Sequence, residues 1–256
     1  MFTQNRFCKG VTLFILACIF AFMSVPVFAA KVEVNTTRRL LPTMPFLIGT
    51  FDADGNPDVC IVDRAGILET SSPLKYFVSI KDTRQTTANI KLNKSFTINI
   101  PNSSILAQMD YMGQVHAGNK DTYFNKLGVT GLSYTASTNE NVNAPVLNDC
   151  KIVFECVLAE DDPYEFEGSE YKTYAANIVT AHIDTSLMTV EDTSSLTGRT
   201  INGAVSVVSA DLVFFSGAGG DLAGYYKPYA TGLKRYGTYS TVYDADDIAS
   251  LISVRR

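Results

Sequence analysis

The run KDTRQTTANIKLNKSFTINIP, Lys81 to Pro101, sets a helix between two strands. Upstream, Tyr76 to Ile80 (YFVSI) alternates as a strand does, and Phe96 to Ile100 (FTINI) alternates again at the downstream end. The intervening helix draws an apolar side from Ala88, Ile90 and Leu92, and Thr86 or Thr87 supplies a hydroxyl to its first turn. Backbone N–H groups in that turn lack intrahelical acceptors, so with Lys81 and Arg84 they offer a site for a dianionic phosphate. The competing reading of the same spacing is a capped surface helix with solvated charges.

Outward from this run, strands dominate. Met44 to Phe51 (MPFLIGTF) is an apolar run that the Asp-Gly signal within Asp52 to Pro57 folds back onto Val59 to Val62. Ser103 to Met112 places Ile105, Leu106, Met109 and Met112 at helical spacing between Pro101 and Gly113, with the two methionines as core filling. Asp121 to Leu127 reads as a further helical turn, closed by Gly128. Long strands return at Lys151 to Glu160 and Tyr174 to Asp184, joined by the acidic DDPYEFEGSE. The fold class that follows is mostly β with short α-helices, a barrel carrying helices on its rim and not a doubly wound sheet. Beyond Thr185 the pattern thins. Asp192 to Gly203 is rich in Ser, Thr and Gly, Ser216 to Gly224 is a glycine-rich loop with no helix signal after it, and Asp244 to Ile252 carries a terminal helix signal.

The first 29 residues read as a signal peptide. Arg6 and Lys9 precede the apolar run Val11 to Met23, which is shorter than the ~20 residues a membrane span requires, and Val27, Phe28 and Ala29 complete a small-residue cleavage pattern. A retained N-terminal anchor is the competing reading. Cleavage leaves about 225 residues, enough for one substantial core. It predicts a periplasmic or extracellular protein with no membrane segment in its mature form. Losing Arg6 and Lys9 takes the formal net charge from −5 to −7, and with no basic face apparent a nucleic-acid partner is excluded.

Three cysteines remain after the leader. Cys150 and Cys156 share one strand and stand roughly 20 Å apart at about 3.3 Å per residue, too far for a bridge to each other. A bridge from Cys60 to either leaves an odd thiol. His116 and His182 are too few and too isolated for a metal centre, and His182, in NIVTAHID, reads as a satisfied structural residue.

Taken in order, PFLIGTFDADGNPDV, AGI followed by ETSSP, TRQTTANI, FTINIP, DYMG, DTYFNKLGVTG, NAPVLNDC and IVFEC resemble the flavin reductase-like, FMN-binding split-barrel family, and its flavoredoxin branch in particular. The resemblance runs over roughly Leu41 to Asp184. It implies a six-stranded, FMN-binding split β-barrel over residues 30–190, completed or extended by a segment at 191–256. It also implies a homodimer with FMN in a groove near the dimer interface. The family's R-x-T-x-x-N-I element is matched by Arg84, Thr86, Asn89 and Ile90, which makes Thr86 the FMN phosphate contact, supported by Arg84 and Lys81. By the same resemblance Asp58 and the backbone of Asp63, Arg64, Ala65, Gly66 and Ile67 lie beside the flavin, and Thr70 falls where the family has a serine near the isoalloxazine.

Four departures qualify the match. Asp58 replaces the branch's usual asparagine and puts a negative charge near a ring that becomes anionic on reduction, which lowers the potential or weakens binding. Arg64 stands where an aromatic residue is common and is expected to offset Asp58. The lysine of the family's D-K-F element has no match in DTYF, which leaves Lys120 or Lys126 to replace it. The histidine expected after GS is absent from GSEYKTY, where Tyr171 or Lys172 stands. The implied function is an exported FMN-dependent redox protein taking electrons from NAD(P)H or from a redox partner protein. Because the cofactor carries such chemistry, no protein acid, base or nucleophile is obligatory, and Ser71, Ser72 and the two histidines form no triad order. The competing class is a binding or structural protein that kept the split barrel and lost flavin.

Overall fold

The computed structural model describes residues 43–114 and 125–187, together with Leu212 and the strands Phe214–Phe215, Tyr236–Gly237 and Val242–Tyr243. The stretch expected to be a leader, His116, Lys120, residues 121–124, the Ser/Thr/Gly-rich stretch at 192–203, the glycine-rich stretch at 216–224 and the terminal helix signal at 244–252 lie outside them. No helix among the described residues is long and apolar enough to cross a membrane.

One curled antiparallel sheet holds the described part together. Its order is β2 (Pro57–Val62), β1 (Phe46–Phe51), β5 (Ser95–Ile100), β8 (Ile152–Leu158), β10 (Tyr171–Ile183), β4 (Lys75–Lys81) and β3 (Ala65–Glu69), with β9 (Tyr164–Glu165) on β10. That makes eight strands where the resemblance implied six. The β1–β2 hairpin forms as its sequence predicts, pairing Phe51 with Pro57. In its turn the Asp52 carboxylate accepts from the Asp54 and Asn56 N–H groups at 2.9 and 2.8 Å, and Gly55 takes a φ of +79° that disfavours any side chain.

Period-two alternation sorts the strand residues onto two faces. Phe46 and Ile48, Phe96, Ile98 and Ile100, and Ile152 and Cys156 point into the barrel, where they meet Val78, Ile80, Tyr174 and Ile90. Leu47, Val59 and Val153 point outward. They are covered by α2 (Leu106–Gln114), which enters from a 3₁₀ turn at Ser103–Ile105, by α3 (Lys126–Thr130) and by the hairpin of β6 (Tyr134–Ala136) and β7 (Pro145–Leu147). Met109 and Met112 are buried there, as core residues. Gly49 lets β7 approach β1: a Cβ at that position would stand 2.6 Å from Thr97 Oγ1 and 2.9 Å from the Pro145 carbonyl oxygen. The outer face also holds a buried carboxylate, Glu155, which accepts from the Ser137 hydroxyl at 2.8 Å and lies 2.7 Å from His182 Nε2. His182 therefore has a structural partner. Cys60, Cys150 and Cys156 are free thiols.

The structure corrects three local expectations. The helix at the centre of the opening run, α1 (Gln85–Asn93), buries Thr86, Thr87, Asn89 and Ile90, while Ala88 and Leu92 face outward. The polar side wins because each of its groups finds a partner: Thr87 donates to the Lys81 carbonyl at 3.0 Å and Asn89 Nδ2 to Thr50 Oγ1 at 3.0 Å. The helix expected to close at Gly128 runs instead from Lys126 to Thr130 and ends at Gly131, whose φ is +69°. Gly128 sits inside it, its N–H held by Asn125 Oδ1 at 2.8 Å. Finally, α2 continues through Gly113 to Gln114.

Leu212 pairs with Asn102 and packs against the interior cluster, and the strands at Phe214–Phe215, Tyr236–Gly237 and Val242–Tyr243 pair in a small sheet of their own.

Candidate functional site

A pocket of about 160 Å³ opens where β2, the start of α1, the end of α2 and the first residue of α3 meet. Asp58, Cys60 and Ile61 come from β2, residues 83–86 from the approach to α1, Met112 and Gly113 from α2, and Lys126 from α3. Gly113 is where α2 comes against β2, since a Cβ there would lie 3.0 Å from Ile61 Cδ1.

Asp58 is the centre of the pocket's polar groups. Its Oδ2 accepts from the Thr86 hydroxyl at 2.6 Å, and its Oδ1 accepts from Lys126 Nζ at 3.1 Å. Lys126 also donates to the Val59 carbonyl at 2.9 Å, and both charged side chains of the pair are only 7% exposed. Arg84 occupies the N-cap of α1 in an extended conformation without capping the helix through its side chain, which lines the pocket. The Cys60 thiol is pushed up from its ordinary range, first by burial and then by the Asp58 carboxylate. Two cations thus face one carboxylate at a helix start, an arrangement that attracts an anion.

Of the residues marked out by sequence, the structure brings Asp58, Arg84, Thr86 and Lys126, one of the two candidates for the family's missing lysine, into this pocket and leaves the others elsewhere. Asn89 lies behind its wall, bonded to Thr50 and accepting from Gln85 Nε2 at 2.8 Å. Lys81 pairs with Glu170 at 2.7 Å and stands 5.7 Å from the centre of the Tyr171 ring. Arg64 lies 4.3 Å over the same ring, with Nη1 3.3 Å from Asp63 Oδ1. Arg64 is therefore not what offsets Asp58; Lys126 is. Lys172 pairs with Glu165 at 2.5 Å. Ala65, Gly66 and Ile67 belong to β3, at one end of the sheet path, and the exposed Thr70 follows it.

Sequence reasoning missed Cys60, Ile61, Thr83, Gln85, Met112 and Gly113 as pocket residues. Signals existed for Cys60, which shares a strand face with Asp58 two residues away, and for Thr83 and Gln85, which flank Arg84. Ile61, Met112 and Gly113 come together only where α2 docks on β2.

The family model for the flavin reductase like domain matches residues 37–215, and the chain belongs to that family. Among solved structures, the flavoredoxin of Desulfovibrio vulgaris (Miyazaki F) is 24% identical with a TM-score of 0.58, covering 73% of this chain and 87% of its own. A flavoredoxin from Methanosarcina acetivorans, 20% identical with a TM-score of 0.58, covers the same shares of 73% and 87%. An FMN-binding protein from Thermus thermophilus is 14% identical with a TM-score of 0.51, covering 63% of this chain and 83% of its own. At these identities the likeness shows the fold, a flavin reductase-like split barrel. No curated protein matches the chain. Family membership ties the chain to flavin-related redox chemistry.

Proposed function

We propose that this chain is an exported FMN-binding redox protein of the flavin reductase or flavoredoxin type, with the FMN phosphate held in the pocket at the start of α1. The observation that carries the reading is the convergence of Arg84 and Lys126 on one pocket at the matched R-x-T-x-x-N-I element. The donor set fits a phosphate: two cations outnumber the single Asp58 carboxylate, and the first-turn N–H groups of Gln85 and Thr86 lie beyond the reach of intrahelical acceptors. The flavin ring is expected along the backbone of Asp63 to Ile67. Support comes from β3, whose outer edge pairs with no strand among the described residues, so its N–H and C=O groups can meet a heterocycle's polar rim. The bound flavin would supply hydride or single-electron exchange with NAD(P)H or a redox partner protein. The chain's own part is to anchor the phosphate, orient the ring and set its surroundings.

Ile67 and Leu68, on the same edge, are 55% and 52% exposed, which supports a homodimer that covers them. The contact of Leu212 with Asn102 supports a C-terminal segment that extends the barrel. Export rests on the leader pattern.

The test is titration of the purified protein with FMN, followed by flavin fluorescence and by melting temperature. A ligand at ~100 times its Kd stabilises the native state by about 2.7 kcal/mol, so binding must raise the melting temperature. Neither quenching nor a thermal shift would defeat the proposal and leave the flavin-free split barrel in its place. Arg84→Ala should weaken FMN more than riboflavin, which lacks the phosphate; equal losses would refute the phosphate assignment.

A further inference from the structure

We infer that Asp58 makes phosphate binding in this pocket depend on a proton, so that the site accepts a phosphate monoanion and turns away the dianion. The inference rests on the FMN reading above and concerns the charge that the same site prefers.

The geometry supplies the reason. A hydroxyl has one proton to give, and that of Thr86 is engaged by Asp58 Oδ2 at 2.6 Å. The Lys126 ammonium gives one proton to Asp58 Oδ1 at 3.1 Å and another to the Val59 carbonyl at 2.9 Å. The Thr86 hydroxyl is thus wholly engaged by a carboxylate in the same pocket, and two of the three Lys126 ammonium protons are already committed. A dianion arriving there would bring its oxygens against a buried anion, and two such groups at contact distance share a proton, as paired carboxylates do. A monoanion avoids the conflict. Its P–OH donates to Asp58, which then releases the Thr86 hydroxyl to donate to a phosphate oxygen. Each group keeps a partner, and one proton accompanies the ligand.

The groups facing Asp58 do not supply that proton themselves. Lys126 of α3 and Arg84 at the start of α1 are cations, Thr86 and the cross-strand neighbour Thr50 are hydroxyls, and α2 brings the uncharged Met112 and Gly113. Cys60, two residues along β2, is a thiol held neutral by burial. What titrates near neutrality is the phosphate, whose second pKa is about 6.

The experiment measures FMN and riboflavin dissociation constants on the intact protein from about pH 5.5 to 8.5, a range that brackets the phosphate's second pKa of about 6. It is accompanied by calorimetry near pH 7.5 in buffers of different ionisation enthalpy. FMN affinity should fall as pH rises above about 6, approaching tenfold per pH unit, with uptake approaching one proton per FMN, while riboflavin binding stays flat. Asp58→Asn should abolish or reverse the slope, because two cations without the carboxylate favour the dianion. FMN binding without proton uptake, an equal slope in Asp58→Asn, or riboflavin binding with no FMN binding at any pH would overturn the inference. Failure of both flavins to bind would instead remove the functional reading on which it stands. The proton count is taken on the unaltered protein, so it decides the matter even where the variant does not fold.

Discussion

Replacing Lys126 by Met tests whether the buried pair at the pocket is as dependent on both charges as its geometry says. Met keeps most of the aliphatic stem and removes the ammonium. Asp58, 6% exposed, is then left with the Thr86 hydroxyl as its side-chain donor, and the Val59 carbonyl loses its contact with Nζ. Breaking a buried ion pair from one side costs about 3–5 kcal/mol, against a total stability of about 5–15 kcal/mol for an ordinary domain. At ~2–4 °C per kcal/mol for a chain of this size, the melting temperature should drop by about 6–20 °C. Asp58→Asn should also destabilise, by leaving the ammonium with the Val59 carbonyl and a neutral amide. The double variant, with neither charge, should cost less than the sum of the two by about 2 kcal/mol or more. Urea unfolding of all four proteins, compared at equal m, reads these differences. Additivity within about 0.5 kcal/mol would refute the coupling and place Lys126 and Asp58 in separate, solvent-screened environments.

Two further outcomes follow from the packing. Gly49→Ala should destabilise by about 1–3 kcal/mol, since its new methyl meets Thr97 Oγ1 and the rigid Pro145 carbonyl; Gly66→Ala, which meets a Phe77 ring carbon at 3.2 Å, should cost less, and equal urea midpoints for the two variants would count against the close approach of β7. Tyr174 is buried, and burial, helped by Asp82 and Glu165, raises its pKa from 10.0 to about 12. The unfolded chain gives up that proton from pH 10.0 upward while the folded one holds it to about 12, so stability should fall with rising pH across that window. Tyr174→Phe should flatten that decline. It should also leave neutral-pH stability nearly unchanged, because the hydroxyl has no partner among the described residues, and an unaltered alkaline decline in the variant's urea midpoints would contradict the burial argument.

What the sequence determined by itself is local. The apolar run over Phe46–Phe51, strand alternation at Lys75–Lys81 and Ser95–Ile100, the Asp-Gly turn and the helix between β4 and β5 are set by side-chain pattern and turn chemistry over a few residues, and all stand where the pattern puts them. The ordered string of short motifs was enough to reach the family. Elements of two to five residues, such as β6, β7 and β3, carry too few alternations to register. Tertiary structure decided which face of α1 is buried, because Thr86, Thr87 and Asn89 are satisfied by β2, the end of β4 and β1, and no apolar stripe reports that. It also decided the charge of the pocket. Asp58 meets Thr86 across 28 positions and Lys126 across 68, so the carboxylate looked unbalanced and Arg64 seemed its counterweight until the chain was folded. A buried charge is tolerated only beside its partner, and that partner is chosen by docking of α3 against β2, through space and not along the chain.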